Sequence, residues 1–288
     1  MNILCIGDGD FSFSLALARV LLAEGDIDQY NSTIVTTSYE SLPALEDIYG
    51  KERLWCTIHE VESLGVKVCY DVDATDLQKT LPLYNEGFFH RIVWNFPCTA
   101  VENGQDGQNK EMERNKELIR KFVTSASCML HAACGEIHIA HKTKPPFDKW
   151  KIEEEVTRCS LLSTSPSKVK ENSEDVSTLD PHDNDRTHMI YCGRIVFDRC
   201  CFPPYIPRKA KHSKSFTYHD ACIYVFALKP NYTAAASLYP PTIPTSFCEQ
   251  DNTSGDLLPV TKEMIQRLRY VHLRNSSRRK KGRKKQKK

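Results

Sequence analysis

The chain lacks any apolar run of about 18 residues, the length a helix needs to cross a bilayer, and its opening MNILCIGDGDFSF has neither the basic segment nor the cleavage site of a secretory leader. These absences predict a protein that is neither secreted nor in a membrane. It also lacks any CxxC pair. Its 12 cysteines are scattered; Cys128 with Cys134, and adjacent Cys200 and Cys201, have no zinc-type spacing and no matching second pair. Reduced thiols are expected, with neither a disulfide framework nor a bound metal.

What is present begins with size. At 288 residues with 40% hydrophobic side chains, the chain can bury the core of one large α/β domain or two small ones. The net charge of +2 is unevenly placed: RRKKGRKKQKK at the end holds nine cations, and removing them from +2 leaves −7. Such a tail repels itself and forms no core, but it binds phosphate backbones by counterion release without reading sequence. It equally suits a solvated nuclear or nucleolar address.

Short β-branched runs alternate with helical spacing. Ile3 to Ile6, Thr33 to Thr37, Val66 to Tyr70, Arg91 to Trp94 and Glu136 to Ala140 read as strands. Ser14 to Leu22 and Arg114 to Leu130 read as helices, the latter with Leu118, Phe122, Ala126 and Leu130 at successive i+4 positions. Strands joined by helical crossovers form a parallel sheet. The apolar runs Gly193 to Phe202 and Ala221 to Leu228 leave no room for a crossover helix, so an antiparallel hairpin is expected to close the sheet. The expected class is α/β, a mostly parallel Rossmann-like sheet over 1–230 of the kind class I methyltransferases have.

Within that span, 163–188 is rich in Ser and Asp and too poor in apolar side chains to offset its ordering entropy, so it reads as a disordered insertion. The Pro/Ser/Thr-rich stretch 231–259 reads as a linker, 260–274 as a short helix with Met264, Leu268 and Val271 on one face, and 275–288 as a basic disordered tail.

The chemistry concentrates where strands meet helices. After the first strand come Gly7, Asp8, Gly9 and Asp10, then a small-residue helix beginning near Ser12 or Ser14. Glycines allow a tight turn and close ligand approach, while the helix start offers free N–H groups. The third glycine of GxGxxG is absent, Ser12 standing in its place, and there is no GxxxxGK, so a pyrophosphate or triphosphate is disfavoured. Asp8 and Asp10 would repel phosphates but suit the ammonium of a methionine moiety, which favours S-adenosylmethionine. Glu40 ends the second strand, where an acid can accept ribose hydroxyls or serve as a surface cap. After the third strand, Asp73 and Ala74 suit the adenine edge; Asp76 is the alternative, and Asp73 could instead cap the next helix. Asn95, Phe96 and Pro97 leave the fourth strand beside the first loop, at the crevice where open α/β sheets bind ligands. They resemble the (D/N)PP(Y/F) signature of nitrogen methyltransferases, with one proline missing and the aromatic ring displaced.

In order, GDGDFSFSLALA, TSYES, GVKVCYDVDATDL, RIVWNFP, RNKELIRKFVTSA and GEIHIAHKTKPPFDKWKI resemble the Rossmann-like 25S ribosomal RNA uridine-N3 methyltransferase family. The same domain occurs in a ferredoxin-fold anticodon-binding-domain protein. The resemblance spans 1–230 apart from the insertion, and implies S-adenosylmethionine as cofactor, N3 of a uridine in large-subunit ribosomal RNA as target, ribosomal RNA or a pre-ribosome as partner, and a nucleolar or nuclear location, with the cytoplasm as alternative. Relatives read NFPH and a glycine-rich continuation; here Cys98 and TAVENGQDGQNK follow, so the substrate loop has diverged.

Removing the N3 proton calls for a base, for which Glu102, Asp106, His141 and Lys142 are the candidates; Lys142 also suits phosphate or base contact. RKAKHSKSFTYH combines cations with Phe216 and Tyr218, a composition fit for stacking and phosphate contact or for a solvated loop. Two other readings compete: a dinucleotide-dependent oxidoreductase, and an inactive RNA-binding scaffold on the same fold.

Overall fold

The structure is a computed structural model and describes residues 2–23, 33–82, 88–99, 112–132, 135–162, 189–198 and 201–228. The insertion at 163–188, the base candidates Glu102 and Asp106, and the linker, short helix and tail read beyond 230 all lie outside the described residues.

Seven strands form one sheet: β1 Asn2–Ile6, β2 Thr33–Thr37, β3 Lys67–Cys69, β4 Arg91–Asn95, β5 Glu136–Lys142, β6 Met189–Val196 and β7 Ala221–Leu228. Their order is β3-β2-β1-β4-β5-β7-β6. The first five are parallel, and β7 runs antiparallel between β5 and β6. This is the expected mostly parallel Rossmann-like sheet with its antiparallel hairpin. The helices are α1 Ser12–Ala23, α2 Leu42–Tyr49, α3 Lys51–Ser63, the single turn α4 Leu77–Thr80, α5 Met112–Ser127 and α6 Ile152–Leu162.

Parallel strands in a layered fold are buried on both faces and alternate between two cores. Ile3 and Cys5 of β1 join Leu17, Leu45, Leu54 and Ile58 from α1 to α3 on one side. Leu4 and Ile6 join Ile119, Phe122 and Val156 from α5 and α6 on the other. With both faces covered by helices, ligands are left the carboxyl edge of the strands.

The described elements differ in extent from the sequence reading. β3 keeps only Lys67–Cys69, with Val66 and Tyr70 flanking it, and α1 begins at Ser12, the earlier of the two expected starts. β6 is Met189–Val196 rather than Gly193 to Phe202. The apolar run deceived because Phe202 and Tyr205, past the end of the strand, pack with Phe13 of α1, the Phe13 ring lying 5.4 Å from Phe202 and 5.2 Å from Tyr205, while Phe197 packs on both of them. The β6–β7 connection is thereby pinned above α1, over the edge where β1 ends.

At the opposite end of the sheet, Arg91 and Glu136 are buried side by side, Nε to carboxylate 3.1 Å, and His138 Nε2 lies 2.8 Å from the same Glu136 oxygen. No described helix is long and apolar enough to cross a membrane.

Candidate cofactor and substrate site

The turn after β1 is fixed by its own acids. Gly7 takes a left-handed backbone (φ +62°), and a Cβ there would stand 3.0 Å from the Trp94 indole nitrogen. That position therefore requires glycine on both counts. Asp8 turns inward and accepts hydrogen bonds from the Ser14 N–H at 2.7 Å, the Ser14 hydroxyl at 2.6 Å and the Phe13 N–H at 3.4 Å. It thus caps α1. Asp10 accepts from the Ser12 hydroxyl and N–H. Burial, then the charge of Asp10, pushes the Asp8 carboxyl up to about 7, although the Ser14 and Phe13 bonds pull the other way.

A cavity of about 470 Å³ opens at this turn, within the roughly 300–1,000 Å³ of small-molecule sites. Of the residues singled out from sequence, Gly7, Asp8, Gly9, Asp10, Glu40, Asp73, Ala74, Asn95 and Phe96 line it. Ser12, Pro97 and Lys142, also singled out, are not among its lining. Ser12 is the first residue of α1, its hydroxyl committed to Asp10; Pro97 is buried behind Phe96; and Lys142 sits farther along β5 with its ammonium 4.2 Å from the Phe147 ring centroid and 4.7 Å from that of Phe216. Asp73 does not cap α4; it accepts from the Thr75 N–H and hydroxyl in a turn of its own, while Asp76 occupies the cap position.

Asn95 closes β4, and its amide hydrogen-bonds the buried Tyr205 hydroxyl. Phe96 follows with φ +56° and donates its N–H to the Ala140 carbonyl at 2.8 Å. The Phe96 ring meets Phe197, Phe216 and Tyr218 at 5.3, 5.1 and 6.5 Å. It is therefore one wall of an aromatic cluster that extends through Phe216 to Lys142. His141 lies elsewhere: it is buried against Trp150 and Phe147, bonded through Nδ1 to the Lys142 carbonyl, and burial lowers it to about 4. It stays neutral and does not line the cavity.

Sequence reasoning missed Tyr49 and Tyr205, and read Arg208, Lys209 and Lys211 only as cations of a loop suited to phosphate contact; all five are lining residues. Tyr49 comes from the end of α2, and its hydroxyl fills the space a Cβ on Gly9 would need, at 2.5 Å. Burial, and the acids Asp10, Glu40 and Asp8, raise the Tyr49 phenol. Arg208 reaches from the β6–β7 loop to Asp10, its Nε bonded to the carboxylate. RKAKHSKSFTYH carried a signal of positive charge, but nothing in it marked the first arginine as the one that turns inward. Among the described residues, no group of three or more His, Cys, Asp or Glu side chains could hold a metal ion.

Residues 4–208 match the model of the BMT5-like family, described as rRNA (uridine-N3-)-methyltransferase BTM5-like. The chain belongs to this family. Among curated proteins it is 33% identical over 161 residues to heavy metal-associated isoprenylated plant protein 41 of Arabidopsis thaliana, covering 56% of this chain and 29% of that protein. It is 35% identical over 158 residues to the uncharacterized protein At4g26485 of the same plant, covering 53% and 68%. To the human ferredoxin-fold anticodon-binding domain-containing protein 1 it is 30% identical over 139 residues, covering 48% and 19%. The chain thus spans well under half of two of these relatives and about two thirds of the third. The matched family segment takes in the glycine turn, Glu40, Asp73, Asn95, Phe96 and, at its last position, Arg208.

Proposed function

We propose that this family member transfers a methyl group from S-adenosylmethionine to N3 of a uridine in large-subunit ribosomal RNA. One observation carries the reading beyond family membership: the glycine turn, Glu40 shortly after β2, the acidic turn after β3 and Asn95–Phe96 at the end of β4 converge on a single cavity. The residues present fit the cofactor. Asp73 and Ala74, with the apolar wall of Ile6, Val72 and Val93, would take the adenine, Glu40 the ribose hydroxyls, and Asp8 with Asp10 the ammonium. When bound, the cofactor supplies an electrophilic methyl group on a sulfonium.

The uridine edge presents an N–H between two carbonyls, and it must leave its base pair to enter. Asn95 carries both a donor and an acceptor and stands at the strand end next to the glycine turn, so it can hold that edge in line with the methyl group. Its bond to Tyr205 restrains the amide. The Phe96 cluster excludes water beside it. Of the four base candidates, His141 is ruled out by its place in an aromatic box. The Lys142 ammonium lies over the rings of Phe147 and Phe216, and Lys142 does not line the cavity. Glu102 and Asp106, between β4 and α5 in the sequence and outside the described residues, are the other candidates for the proton.

The basic residues beyond 275 support ribosomal RNA or a pre-ribosome as partner and a nucleolar or nuclear location, with the cytoplasm as the alternative. The test is labelled methyl transfer to ribosomal RNA from cells lacking the gene, with 3-methyluridine read by mass spectrometry. Wild type should restore the mark, and Gly9→Arg and Asn95→Ala should not. Unchanged 3-methyluridine would defeat the substrate assignment, and calorimetry showing NAD binding without S-adenosylmethionine binding would defeat the cofactor assignment.

A further inference from the structure

We infer that Arg208 binds the α-carboxylate at the amino-acid end of the cofactor, so that the β6–β7 loop completes a site the parallel sheet only begins. The inference rests on the proposed cofactor.

A free amino-acid group is a zwitterion and needs an acceptor for its ammonium close to donors for its carboxylate. In many α/β sites the start of the first helix supplies those donors. Here it cannot do so alone. The N–H groups of Ser12, Phe13 and Ser14 are taken by the protein's own carboxylates, Asp10 for the first and Asp8 for the other two. A ligand carboxylate arriving at this turn also meets two acids, so it requires a cation.

The cations lining the cavity are Arg208, Lys209 and Lys211, all from the β6–β7 loop. Of these, Arg208 is built in. Its side chain is only 11% exposed, its Nε bonds Asp10, its Nη1 donates to the Ser213 carbonyl, and its guanidinium lies 5.9 Å from the Tyr49 ring centroid. A guanidinium carries five N–H donors, more than these two acceptors use, in a planar fork matched to a carboxylate.

Strand order places the ligand end there. With the adenine at Asp73–Ala74 after β3 and the ribose at Glu40 after β2, the remainder of the cofactor continues along the edge to the turn after β1. That is where Arg208 meets Asp10. The pair offers one carboxylate and one guanidinium side by side, complementary to the zwitterion.

The deciding experiment compares calorimetric binding of S-adenosylmethionine and decarboxylated S-adenosylmethionine to wild type, Arg208→Gln and Arg208→Lys. Wild type should prefer the carboxylated form by about 10- to 100-fold, the worth of a charged hydrogen-bonded pair. Arg208→Gln should bind the two alike, by weakening only the carboxylated form, and Arg208→Lys should discriminate partially because it keeps the charge without the fork. Equal binding of the two ligands by wild type overturns the inference and leaves the cofactor reading standing. So does an equal loss of both in Arg208→Gln, the mark of a merely structural link. Wild type binding neither ligand overturns both.

Discussion

The Asp8 carboxylate and the Ser14 hydroxyl stand 2.6 Å apart inside the first βα turn, and the same carboxylate also takes the Ser14 N–H at 2.7 Å. The acid is at once the cap of α1 and a wall of the cavity, so its protonation couples helix stability to ligand binding.

This coupling sets a pH dependence. The Asp8 carboxyl is raised from 3.8 to about 7 in the folded chain, so its contribution to stability is complete below 3.8 and is lost as pH rises to about 7, on the order of a few kcal/mol. His141 does the opposite. Lowered from 6.5 to about 4, it contributes fully above 6.5 and loses that contribution as pH falls to about 4. Urea midpoints measured from pH 4 to 7 should therefore vary little in wild type, rise with pH in Asp8→Asn and fall with pH in His141→Phe. Parallel curves for all three would refute the assignment. S-adenosylmethionine affinity should also increase through about pH 7 as Asp8 ionises to receive the ammonium.

Gly7 and Gly9 should fail for different reasons. Gly7→Ala forces a side chain into φ +62° against the Trp94 indole and should cost about 1–2 kcal/mol of stability, seen in chemical denaturation. Gly9→Ala collides with the Tyr49 hydroxyl and should lower cofactor affinity about tenfold or more. Adding Tyr49→Phe should restore much of it, because the next ring atom stands at 3.3 Å. Absence of that rescue in calorimetry would show that the hydroxyl is not the obstruction.

Far from the cavity, Glu136→Gln should destabilise the fold by roughly 3–5 kcal/mol, since it leaves the buried Arg91 without its charged partner. Replacing both, as Arg91→Met with Glu136→Leu, should recover most of the loss while leaving methyl transfer intact. A double variant no more stable than Glu136→Gln would contradict this.

Lys211 and Lys214 project from the β6–β7 loop and are exposed. Changing both to Gln should weaken RNA binding across all sequences and reduce the slope of log affinity against log salt by roughly 1–2. Thermal stability should not move. An unchanged slope would place the phosphates elsewhere.

How legible this was depended on range. The glycine turn, Glu40, Asp73 and Asn95 were readable because each follows directly on a strand whose β-branched run announces it. The paired helices α2 and α3 were left unread, though Leu54, Ile58 and Val61 keep helical spacing, because Gly50 (φ +84°) breaks the pattern between them. Gly193 to Phe202 misled because burial alone does not say whether Phe197 and Phe202 face a neighbouring strand or a helix. Tyr49 and Arg208 were invisible as site residues for the same physical reason: what makes them lining residues is contact with Gly9 and Asp10, and local sequence carries no trace of a partner 198 positions away.

The link from Asp10 to Arg208 also sets an order of events during synthesis. A nascent chain that has released α1 and the five parallel strands already holds the glycine turn, Glu40, Asp73 and Asn95, yet the cavity is still open on one side. It closes only when the hairpin loop emerges and returns to the first turn. Completion of the proposed cofactor site is therefore a late event, and a product that stops short of the loop would hold the parallel half of the site without Arg208 beside Asp10.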